Sequence, residues 1–389
     1  MKIMPKDREG TKWLQNYQNQ LLFELYIAYL YARKGGERGT FDEHKFEIFQ
    51  FMNLYNLMET ITKKEFYPSR GVAHIIFNPV IREIFAAAFR DRVVHHWIYN
   101  LIYDWWNKLF ILDSYSCREG KGTLFGILRL QEQINEVEKK YGERAWIIKL
   151  DIQGYFMSID REILYKLAIK GLDEQFKKNR GVVYEMAKFC LHEIIFDNPC
   201  DGVIKRGWPY DWRNLPDTKS LLKQLPGVGI VIGNLTSQLL SNIYLNELDK
   251  YVTNELGWKY YGRYVDDFYI VAPESLADEA WADLEKIEKF LKKELRLTLH
   301  PNKRSKQPSS NGVAFLGAVV YPTAIHPGKR LKKRTRRAFY DFVNGKASSE
   351  TIISYIGHMR YMKHHKFLSE LCEEVGLPAD FWCQYENVA

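Results

Sequence analysis

The segment "RYVDDFYIV" at residues 263–271 places two adjacent carboxylates, Asp266 and Asp267, inside an apolar, aromatic and β-prone run. Two like charges in or near a buried strand carry a large free-energy cost unless something positive neutralises them. The runs "WKYYGRYV" and "FYIVA" on either side predict a β-hairpin with the two aspartates at its tip. The alternative is ordinary turn chemistry, because Asp tolerates turn conformations.

A third carboxylate stands at the end of another predicted strand. The stretch "RAWIIKLDI" (144–152) has apolar residues between charged flanks, and Asp151 lies at its C-terminal end. In an α+β arrangement around a small sheet, this strand end can lie beside the hairpin, although 115 residues separate Asp151 from Asp266. Three carboxylates suit Mg²⁺, and two such ions close together would form a two-metal phosphoryl-transfer site.

The positive charge of the chain is concentrated near its C-terminal end. The 389 residues carry a formal net charge of +8, which favours a polyanionic partner such as nucleic acid. The run "KRLKKRTRR" precedes an apolar, helical-looking "AFYDFV" and predicts a phosphate-contacting patch on a folded helix; a solvated helix face is the alternative. Its cations are Lys329, Arg330, Lys332, Lys333, Arg334, Arg336 and Arg337.

Composition excludes several other classes of protein. The hydrophobic fraction of 46% predicts a globular chain, and no apolar run of membrane-spanning length is evident. The N-terminal "MKIMPKDREG" lacks a secretory apolar core, and the five scattered cysteines are typical of reduced thiols in a cytoplasm. None forms a CxxC pair, so no zinc site is expected. The pairs His95-His96 and His364-His365 are interpreted as a packed helix and a solvated face, in preference to metal ligands.

Three further stretches point to nucleotide chemistry. "DIQGYF" places Tyr155 and Phe156 just past the third carboxylate, where an aromatic ring can lie under a sugar and exclude a 2′-hydroxyl; core packing is the alternative. "GVGIVIGNLTSQ" (227–238) predicts a strand running into a helix, with Gly233 allowing close approach of a ligand to the backbone. Lys303, after "LTLHPN", can reach a phosphate or simply be a surface lysine.

The order of these motifs resembles that of reverse transcriptases over about residues 70–320. The resemblance rests on "KLDIQGYF", "IVIGNLTSQ", "YVDD", "LHPNK" and "FLG". The stretches "REIFAAAFRDRVVHH", "SYSCREGKGT", "LPDTKSLL" and "IGNLTSQ" resemble more narrowly the reverse transcriptases of diversity-generating retroelements, which are bacterial and phage relatives of group II intron enzymes. The implied activity is RNA-directed DNA synthesis from a retroelement template RNA.

The resemblance implies an α+β fold of the right-hand polymerase type, with fingers, a palm made of a small antiparallel sheet plus helices, and a helical thumb. The implied boundaries are a helical N-terminal extension over 1–70, fingers over 71–143, a palm over 144–322 with finger elements interleaved, and a basic helical thumb over 323–389. The thumb would hold template–primer duplex.

The resemblance also implies roles for individual residues. Asp151, Asp266, Asp267 and the backbone of Ile152 correspond to ligands of two Mg²⁺ ions, for which Mn²⁺ can substitute. Lys303 corresponds to a lysine that assists the pyrophosphate leaving group. The remaining correspondences are the nucleotide-contacting Arg82, Ile152, Tyr155, Phe156, Ile232, Gly233 and Gln238, of which Arg82 meets the triphosphate and Tyr155 the sugar, and the basic finger positions Arg92 and Arg118.

One departure from the usual reverse-transcriptase pattern is informative. Ile232 stands where most members have Gln, and Gln238 stands where they have Pro. A glutamine can hydrogen-bond the nucleotide and an isoleucine cannot, so discrimination between correct and incorrect pairing is loosened. In the resembling family this goes with error-prone copying opposite template adenines.

The implied partners are template RNA, primer or cDNA, deoxynucleoside triphosphates and a small, basic, oligomeric helical accessory protein, with no membrane and a cytoplasmic location. Three alternatives stay open. The first is a group II intron-like or antiphage-defence reverse transcriptase. The second is a catalytically idle RNA-binding scaffold, against which the intact carboxylate set argues. The third is a metal-dependent nuclease, which has no need of Tyr155 or of the basic thumb.

Overall fold

The computed structural model describes residues 8–34, 38–77 and 80–386, and the side chains from residue 17 onward within those ranges. Residues 1–7, on which the expectation about a secretory segment partly rests, lie outside them.

Helices make up most of the described chain. In chain order they are α1 (Arg8–Ala32), α2 (Phe41–Ile48), α3 (Gln50–Thr62), α4 (Phe89–Leu109), α5 (Thr123–Tyr141), α6 (Tyr155–Ser158), α7 (Arg161–Gln175), α8 (Val182–Phe196), α9 (Pro209–Arg213), α10 (Leu235–Lys250), α11 (Ala277–Ala282), α12 (Leu284–Glu294), α13 (Lys329–Val343), α14 (Ser349–Met359), α15 (His365–Glu374) and α16 (Cys383–Glu386). One π-helical turn, Tyr251–Glu255, directly follows α10.

The strands are short. In chain order they are β1 (Val72–Ile76), β2 (Arg82–Ala86), β3 (Ala145–Asp151), β4 (Ile204–Lys205), β5 (Tyr261–Tyr264), β6 (Asp267–Pro273), β7 (Ser305–Pro308), β8 (Val313–Phe315), β9 (Ala318–Val320) and β10 (Ile325–Pro327). They form three sheets, with the orders β2-β1-β4, β5-β6-β3-β7 and β10-β9-β8.

The chain divides into two compact units that are discontinuous in sequence. Unit 1 comprises Met1–Ile111, Ile152–Lys250 and Glu288–Leu299, and unit 2 comprises Leu112–Asp151, Tyr251–Ile287 and His300–Ala389. The chain passes from one unit to the other directly after Asp151, the last residue of β3.

Unit 1 is a helical body with one small sheet. Strand β1 pairs antiparallel with β2 and parallel with β4. Helix α1 packs on α4, where the Trp97 indole nitrogen donates a hydrogen bond of 2.9 Å to Glu24. Phe85 of β2 packs with Met157, Leu221 and Val231 in a small buried cluster. Burial of these apolar side chains stabilises the unit and fixes the position of β2.

Unit 2 contains the four-stranded sheet, whose strand pairs are all antiparallel. Helix α5 presents Leu130, Ile134 and Val137 at helical spacing, and these pack with Ile147 and Tyr269 in one buried cluster. The alternation of side chains along β3 sends Ile147 into this cluster. This core holds the strand end at Asp151 in place.

The C-terminal part of unit 2 has its own hydrophobic core. Helices α13, α14 and α15 contribute Phe339, Ile356 and Leu368 to it, and Trp382, just before α16, completes it; each of these side chains is nearly inaccessible to solvent. The prediction that the basic run lies on a folded helix is confirmed, because α13 begins at Lys329. The predicted strand ending at Asp151 is confirmed as well.

Two predictions about local structure need correction. The segment directly before α10, predicted as a strand, is not one. The backbone nitrogens of Gly229 and Ile230 donate instead to the carbonyl oxygens of Ile159 and Phe156, at 2.7 and 2.9 Å. The side chain of His364, expected on a solvated face, is only 1% exposed. Local apolar patterns could not anticipate either outcome, since both depend on distant parts of the chain.

Candidate active site

The four-stranded sheet brings the predicted carboxylates of unit 2 together. In the antiparallel register of β3 and β6, Asp151 lies directly opposite Asp267. Residues 265–266 form the turn between β5 and β6, so Asp266 occupies the tip of the hairpin as the sequence predicted. Pairing at the ends of two strands thus places three carboxylates at one edge of the sheet.

The turn that carries Asp266 has an unusual backbone. Val265 has a φ of +55°, which is an outlier for a β-branched residue. The Arg263 guanidinium donates a hydrogen bond of 3.0 Å to the carbonyl oxygen of Val265 and one of 3.2 Å to the Ser114 hydroxyl. Arg263 is fully buried. A buried, hydrogen-bonded arginine therefore holds the strained turn in one conformation.

Two lysines neutralise part of the carboxylate charge. Lys303 Nζ lies 2.9 Å from both carboxylate oxygens of Asp151, and Lys149 Nζ lies 3.0 Å from Asp267 Oδ2. Burial, together with the charge of Asp151, raises the pKa of the Asp266 carboxyl to about 6. Burial also raises the pKa of Asp267, which the neighbouring Lys149 opposes. The negative charge of this cluster is thus only partly compensated by the protein.

The donor set fits divalent cations that prefer oxygen ligands. Among the described residues, Asp267 Oδ1 is buried and has no hydrogen-bond partner. A buried carboxylate oxygen without a donor is costly unless a cation or a proton meets it. Asp151, Asp266 and Asp267 together offer the ligand type of Mg²⁺. Ile152 is buried in unit 1, and the role of its backbone carbonyl stays a prediction.

Gly233 of unit 1 has a structural reason to be a glycine, and its predicted contact with a nucleotide stays a prediction. Its φ is +132°, and a Cβ at this position would lie 2.2 Å from the carbonyl oxygen of Phe85. The Phe85 nitrogen donates a 2.9 Å hydrogen bond to the carbonyl oxygen of Ile232, so β2 runs directly beside this segment. The close approach is therefore to the protein's own backbone. Beside it, Ile232 is half-buried and Gln238 is exposed.

The two aromatic residues after Asp151 have different environments. Tyr155 is only 2% exposed, and its hydroxyl donates a hydrogen bond of 2.5 Å to the Ser241 carbonyl. Phe156 is half-buried and packs edge-on against Tyr155 with ring centroids 5.4 Å apart. The structure does not support Tyr155 as the sugar-contacting residue, because its ring belongs to the core. Phe156 is the one of the two with accessible ring surface.

The predicted finger arginines differ in how they are held. Arg82 is exposed at the start of β2, whereas the next residue, Glu83, is buried and accepts a 2.6 Å hydrogen bond from the Leu221 nitrogen. Arg92 is half-buried in unit 1 and donates to the Ala87 carbonyl at 2.9 Å. Arg118, in unit 2, is half-buried too and donates to the Ser114 carbonyl at 2.9 Å. Arg82 is thus the most accessible of the three arginines.

Helix α13 separates its charged and apolar faces. Thr335, Ala338 and Phe339 are buried against the C-terminal core of unit 2. Two cations of the helix form ion pairs with acidic residues of the same region. The shorter pair joins Arg336 to Glu374 at 3.1 Å. Two of the cations, Lys332 and Arg334, are half-buried. The exposed ones are Lys329, Arg330, Lys333, Arg336 and Arg337. This face suits contact with a nucleic-acid backbone.

Comparison with known proteins identifies the family. The family model described as reverse transcriptase (RNA-dependent DNA polymerase) matches residues 81–320, which is more than half of the chain. The chain belongs to this family. Its α+β architecture is accordingly that of a right-hand polymerase fold, as predicted.

A relative and two solved structures with similarity to this chain are distant from it in sequence. Protein YkfC of Escherichia coli (strain K12) is 23% identical over 281 residues, covering 64% of this chain and 66% of YkfC, just under two thirds of that relative. A telomerase structure from Candida albicans, in complex with a fragment of telomeric RNA, is 11% identical with a TM-score of 0.45; 80% of this chain and 60% of that one are covered. Apo telomerase from Candida tropicalis is 13% identical with a TM-score of 0.47, covering 95% and 77%.

Two residues of the candidate site escaped the sequence analysis. Lys149 lies two positions before Asp151. Because alternate residues of a strand share a face, this spacing indicates that Lys149 lies on the same side of the sheet as the carboxylate. Arg263 is a charged residue within the predicted apolar strand next to the hairpin tip, which also marks it as a buried structural cation. The position of a residue in a strand does not by itself identify the residue that it contacts.

No helix within the described ranges has the length and apolar character needed to cross a membrane.

Proposed function

We propose that the chain is an RNA-directed DNA polymerase that extends a primer on an RNA template. The observation that carries this proposal is the carboxylate edge of unit 2, where Asp151 lies opposite Asp267 and Asp266 occupies the adjoining turn. The family match over residues 81–320 supports the same reaction. We assign fingers to residues 71–143, palm to 144–322 and thumb to 323–389, after a helical extension.

Nucleotide addition requires attack of the primer 3′-hydroxyl on the α-phosphate of the incoming deoxynucleotide, with release of pyrophosphate. When Mg²⁺ is bound at the three carboxylates, the site gains the Lewis acidity that activates the hydroxyl and neutralises charge on the leaving group. Lys149 holds Asp267 in its orientation through the 3.0 Å ion pair. Lys303, half-exposed, is paired with Asp151 in the free protein and is positioned to turn towards a phosphate once cations share that carboxylate.

The substrate-contacting residues of unit 1 are assigned from sequence and surface exposure. We propose that Arg82 contacts the triphosphate, since its side chain is exposed at the start of β2. We propose that Phe156 selects the sugar in place of Tyr155, since it is the aromatic residue with accessible surface. Template and primer are held through their backbones by the basic face of α13, so binding should weaken steeply with salt.

We further propose that synthesis is error-prone, as in a diversity-generating retroelement, with a small basic helical accessory protein as partner. Ile232 carries the proposal of low fidelity, and the accessory protein rests on the sequence resemblance alone. Its side chain is aliphatic and half-buried, so it offers no hydrogen bond to a nucleotide where most reverse transcriptases place an amide. A site with one polar contact fewer discriminates less between matched and mismatched substrates.

Primer extension on an RNA template tests both levels of the proposal. The assay contains Mg²⁺ and four deoxynucleotides, with the candidate accessory protein and cognate RNA added in parallel, and the products are sequenced. We expect extension, with errors concentrated opposite template adenine and reduced in the matched variant Ile232→Gln.

The outcomes separate the alternatives. Accurate extension by the unmodified protein would point to a group II intron-like or antiphage-defence enzyme and remove the role of Ile232. Extension failing under every condition, with RNA binding retained, would favour an RNA-binding scaffold. Shortening of the nucleic acid in place of extension would indicate a nuclease.

A further inference from the structure

Two histidines and a glutamate meet in the C-terminal part of unit 2. His364 Nε2 lies 3.7 Å from Glu386 Oε1, and His365 Nε2 lies 3.9 Å from the same oxygen. One ligand atom from each of the three residues lies within 4.8 Å of the other two. The cluster lies far along the chain from the carboxylates of the active site and takes no part in the proposed reaction.

The hydrogen bonding of His364 defines which of its nitrogens carries the proton. Nδ1 lies 2.8 Å from the carbonyl oxygen of Met362. Because a carbonyl only accepts, Nδ1 must be the donor, and in a neutral ring Nε2 then presents a lone pair. Protein metal sites commonly use this arrangement, in which a backbone carbonyl orients the ring of a ligating histidine.

The lone pair of His364 has no partner among the described residues. The side chain is only 1% exposed, and Nε2 is buried without a hydrogen-bond partner. The carboxylate of Glu386 lies 3.7 Å from Nε2 and would repel a lone pair. A buried nitrogen aimed at a carboxylate across such a gap is unfavourable unless a cation or a proton lies between them.

The separations suit a small transition-metal ion. Zinc binds imidazole nitrogen and carboxylate oxygen at about 2.0–2.2 Å, which sets tetrahedral ligand atoms roughly 3.4 Å apart. The observed 3.7 and 3.9 Å exceed this by only a few tenths of an ångström. Two nitrogens and one oxygen favour Zn²⁺ over Mg²⁺, since Mg²⁺ prefers oxygen ligands.

The surroundings would hold such a site firmly on one side and leave it open on the other. Both imidazoles pack edge-on against Trp382, with ring centroids 5.3 and 5.0 Å away. The side chains of His365 and Glu386 are 70% and 37% exposed, so solvent reaches the cluster and can supply a fourth ligand.

We infer that His364, His365 and Glu386 form a Zn²⁺ site that fastens α16 to the segment joining α14 and α15. Glu386 is the last residue of α16, and His365 is the first of α15. A shared ion therefore links His365 to Glu386 across the 20 residues of chain between them and closes over the core containing Trp382. Metal binding of this kind stabilises the folded state.

A second cluster in the chain provides a matched control. Glu43, His44 and Glu47 of α2 also offer ligand atoms within 4.8 Å of one another. However, Arg33 forms ion pairs of 2.6 Å with both of these carboxylates. An arginine already supplies the positive charge there, so this cluster is not expected to bind a metal ion.

The test is Zn²⁺ binding by the full-length protein, measured by equilibrium dialysis in excess Mg²⁺ so that carboxylate-only sites are occupied. We expect one Zn²⁺ per chain that is lost or weakened on the order of 100-fold or more in His365→Ala and in Glu386→Gln. His44→Ala should bind Zn²⁺ as the unmodified protein does. Both variants in the cluster alter accessible side chains, so the fold is expected to persist.

Cobalt substitution provides a second, independent measurement. Added Co²⁺ should give the visible absorption of a low-coordinate nitrogen–oxygen site in the unmodified protein and in His44→Ala, and this absorption should vanish in His365→Ala. Equal Zn²⁺ binding by all of these proteins, or no binding by any, would overturn the inference.

Discussion

The hairpin that carries Asp266 and the glycine-rich segment that leads into α10 solve the same backbone problem in opposite ways. Val265 in the hairpin has a φ of +55°, and Gly233 in the segment has a φ of +132°. Both values are disfavoured for residues with a side chain. The hairpin nevertheless keeps a β-branched valine, whereas the segment uses glycine.

The difference lies in what surrounds each residue. A Cβ on Gly233 would lie 2.2 Å from the Phe85 carbonyl oxygen, and a backbone atom held by a strand cannot move aside. At Val265 the turn is fixed from the backbone side, because buried Arg263 binds its carbonyl oxygen. A conformational cost on the order of 1–3 kcal/mol can be tolerated when neighbouring groups fix the turn, whereas a steric overlap with backbone cannot.

The largest effect should come from the hairpin carboxylate itself. Asp266→Asn removes a ligand charge, and we expect primer extension to fall about a thousandfold or more while RNA binding is retained. Burial and the charge of Asp151 raise the pKa of Asp266 above its unfolded value, so its charged form is disfavoured in the metal-free fold. Well above pH 6, the metal-free variant should therefore unfold no more readily than the unmodified protein.

Extension rates and denaturant unfolding check this prediction. Glu285→Gln, which alters an exposed carboxylate of the same unit, is the control and should leave both nearly unchanged. A normal extension rate in Asp266→Asn would contradict the assignment of the carboxylate.

Gly233→Ala tests the steric half of the comparison. We expect the free energy of unfolding to fall by about 3–5 kcal/mol, because backbone strain and overlap with the Phe85 carbonyl add together. Gly227 also has a positive φ, of +79°, but no atom lies within 4 Å of a Cβ placed there. Gly227→Ala should therefore cost only about 1–2 kcal/mol. Equal losses in the two variants, measured by chemical denaturation, would refute the steric argument.

Arg263→Met tests the support of the strained turn. The variant leaves the Val265 carbonyl and the Ser114 hydroxyl without their buried donor, and we expect a loss of about 2–4 kcal/mol in stability. Extension should slow as well, because the turn that positions Asp266 loses its main support. The exposed Arg360 offers a control, since Arg360→Met should change stability by less than about 0.5 kcal/mol. If the turn needs no support, Arg263→Met and Arg360→Met will both change stability only slightly.

Val265→Gly should have the smallest effect. Relief of the φ strain is offset by the greater freedom of glycine in the unfolded chain, so stability should change by no more than about 1 kcal/mol. Val271→Gly, in buried β6, should cost several times more because it removes a core side chain. Thermal unfolding of the two variants measures the difference. If they lose similar stability, packing by Val265 and not its backbone governs the turn.

The active-site strands were predictable because the residues that mark them are neighbours in the sequence. The apolar residues before Asp151 and the β-prone runs around Asp266 mark two strands and a hairpin, and β3 and β6 follow them closely. The segment before α10 was harder to predict, because its backbone nitrogens form hydrogen bonds to Ile159 and Phe156 and not to a neighbouring β-strand. A β-prone pattern cannot distinguish these two kinds of partner.

The sequence by itself determined which residue types were available for chemistry and where on local elements they stand: carboxylates at strand ends and cations along one helix. The tertiary structure decided which of them meet. It buried Tyr155 and left Phe156 accessible, and it brought Glu386 to His364. The physical reason is that burial and pairing depend on packing between segments distant in sequence, whereas periodicity and propensity act only over neighbouring residues.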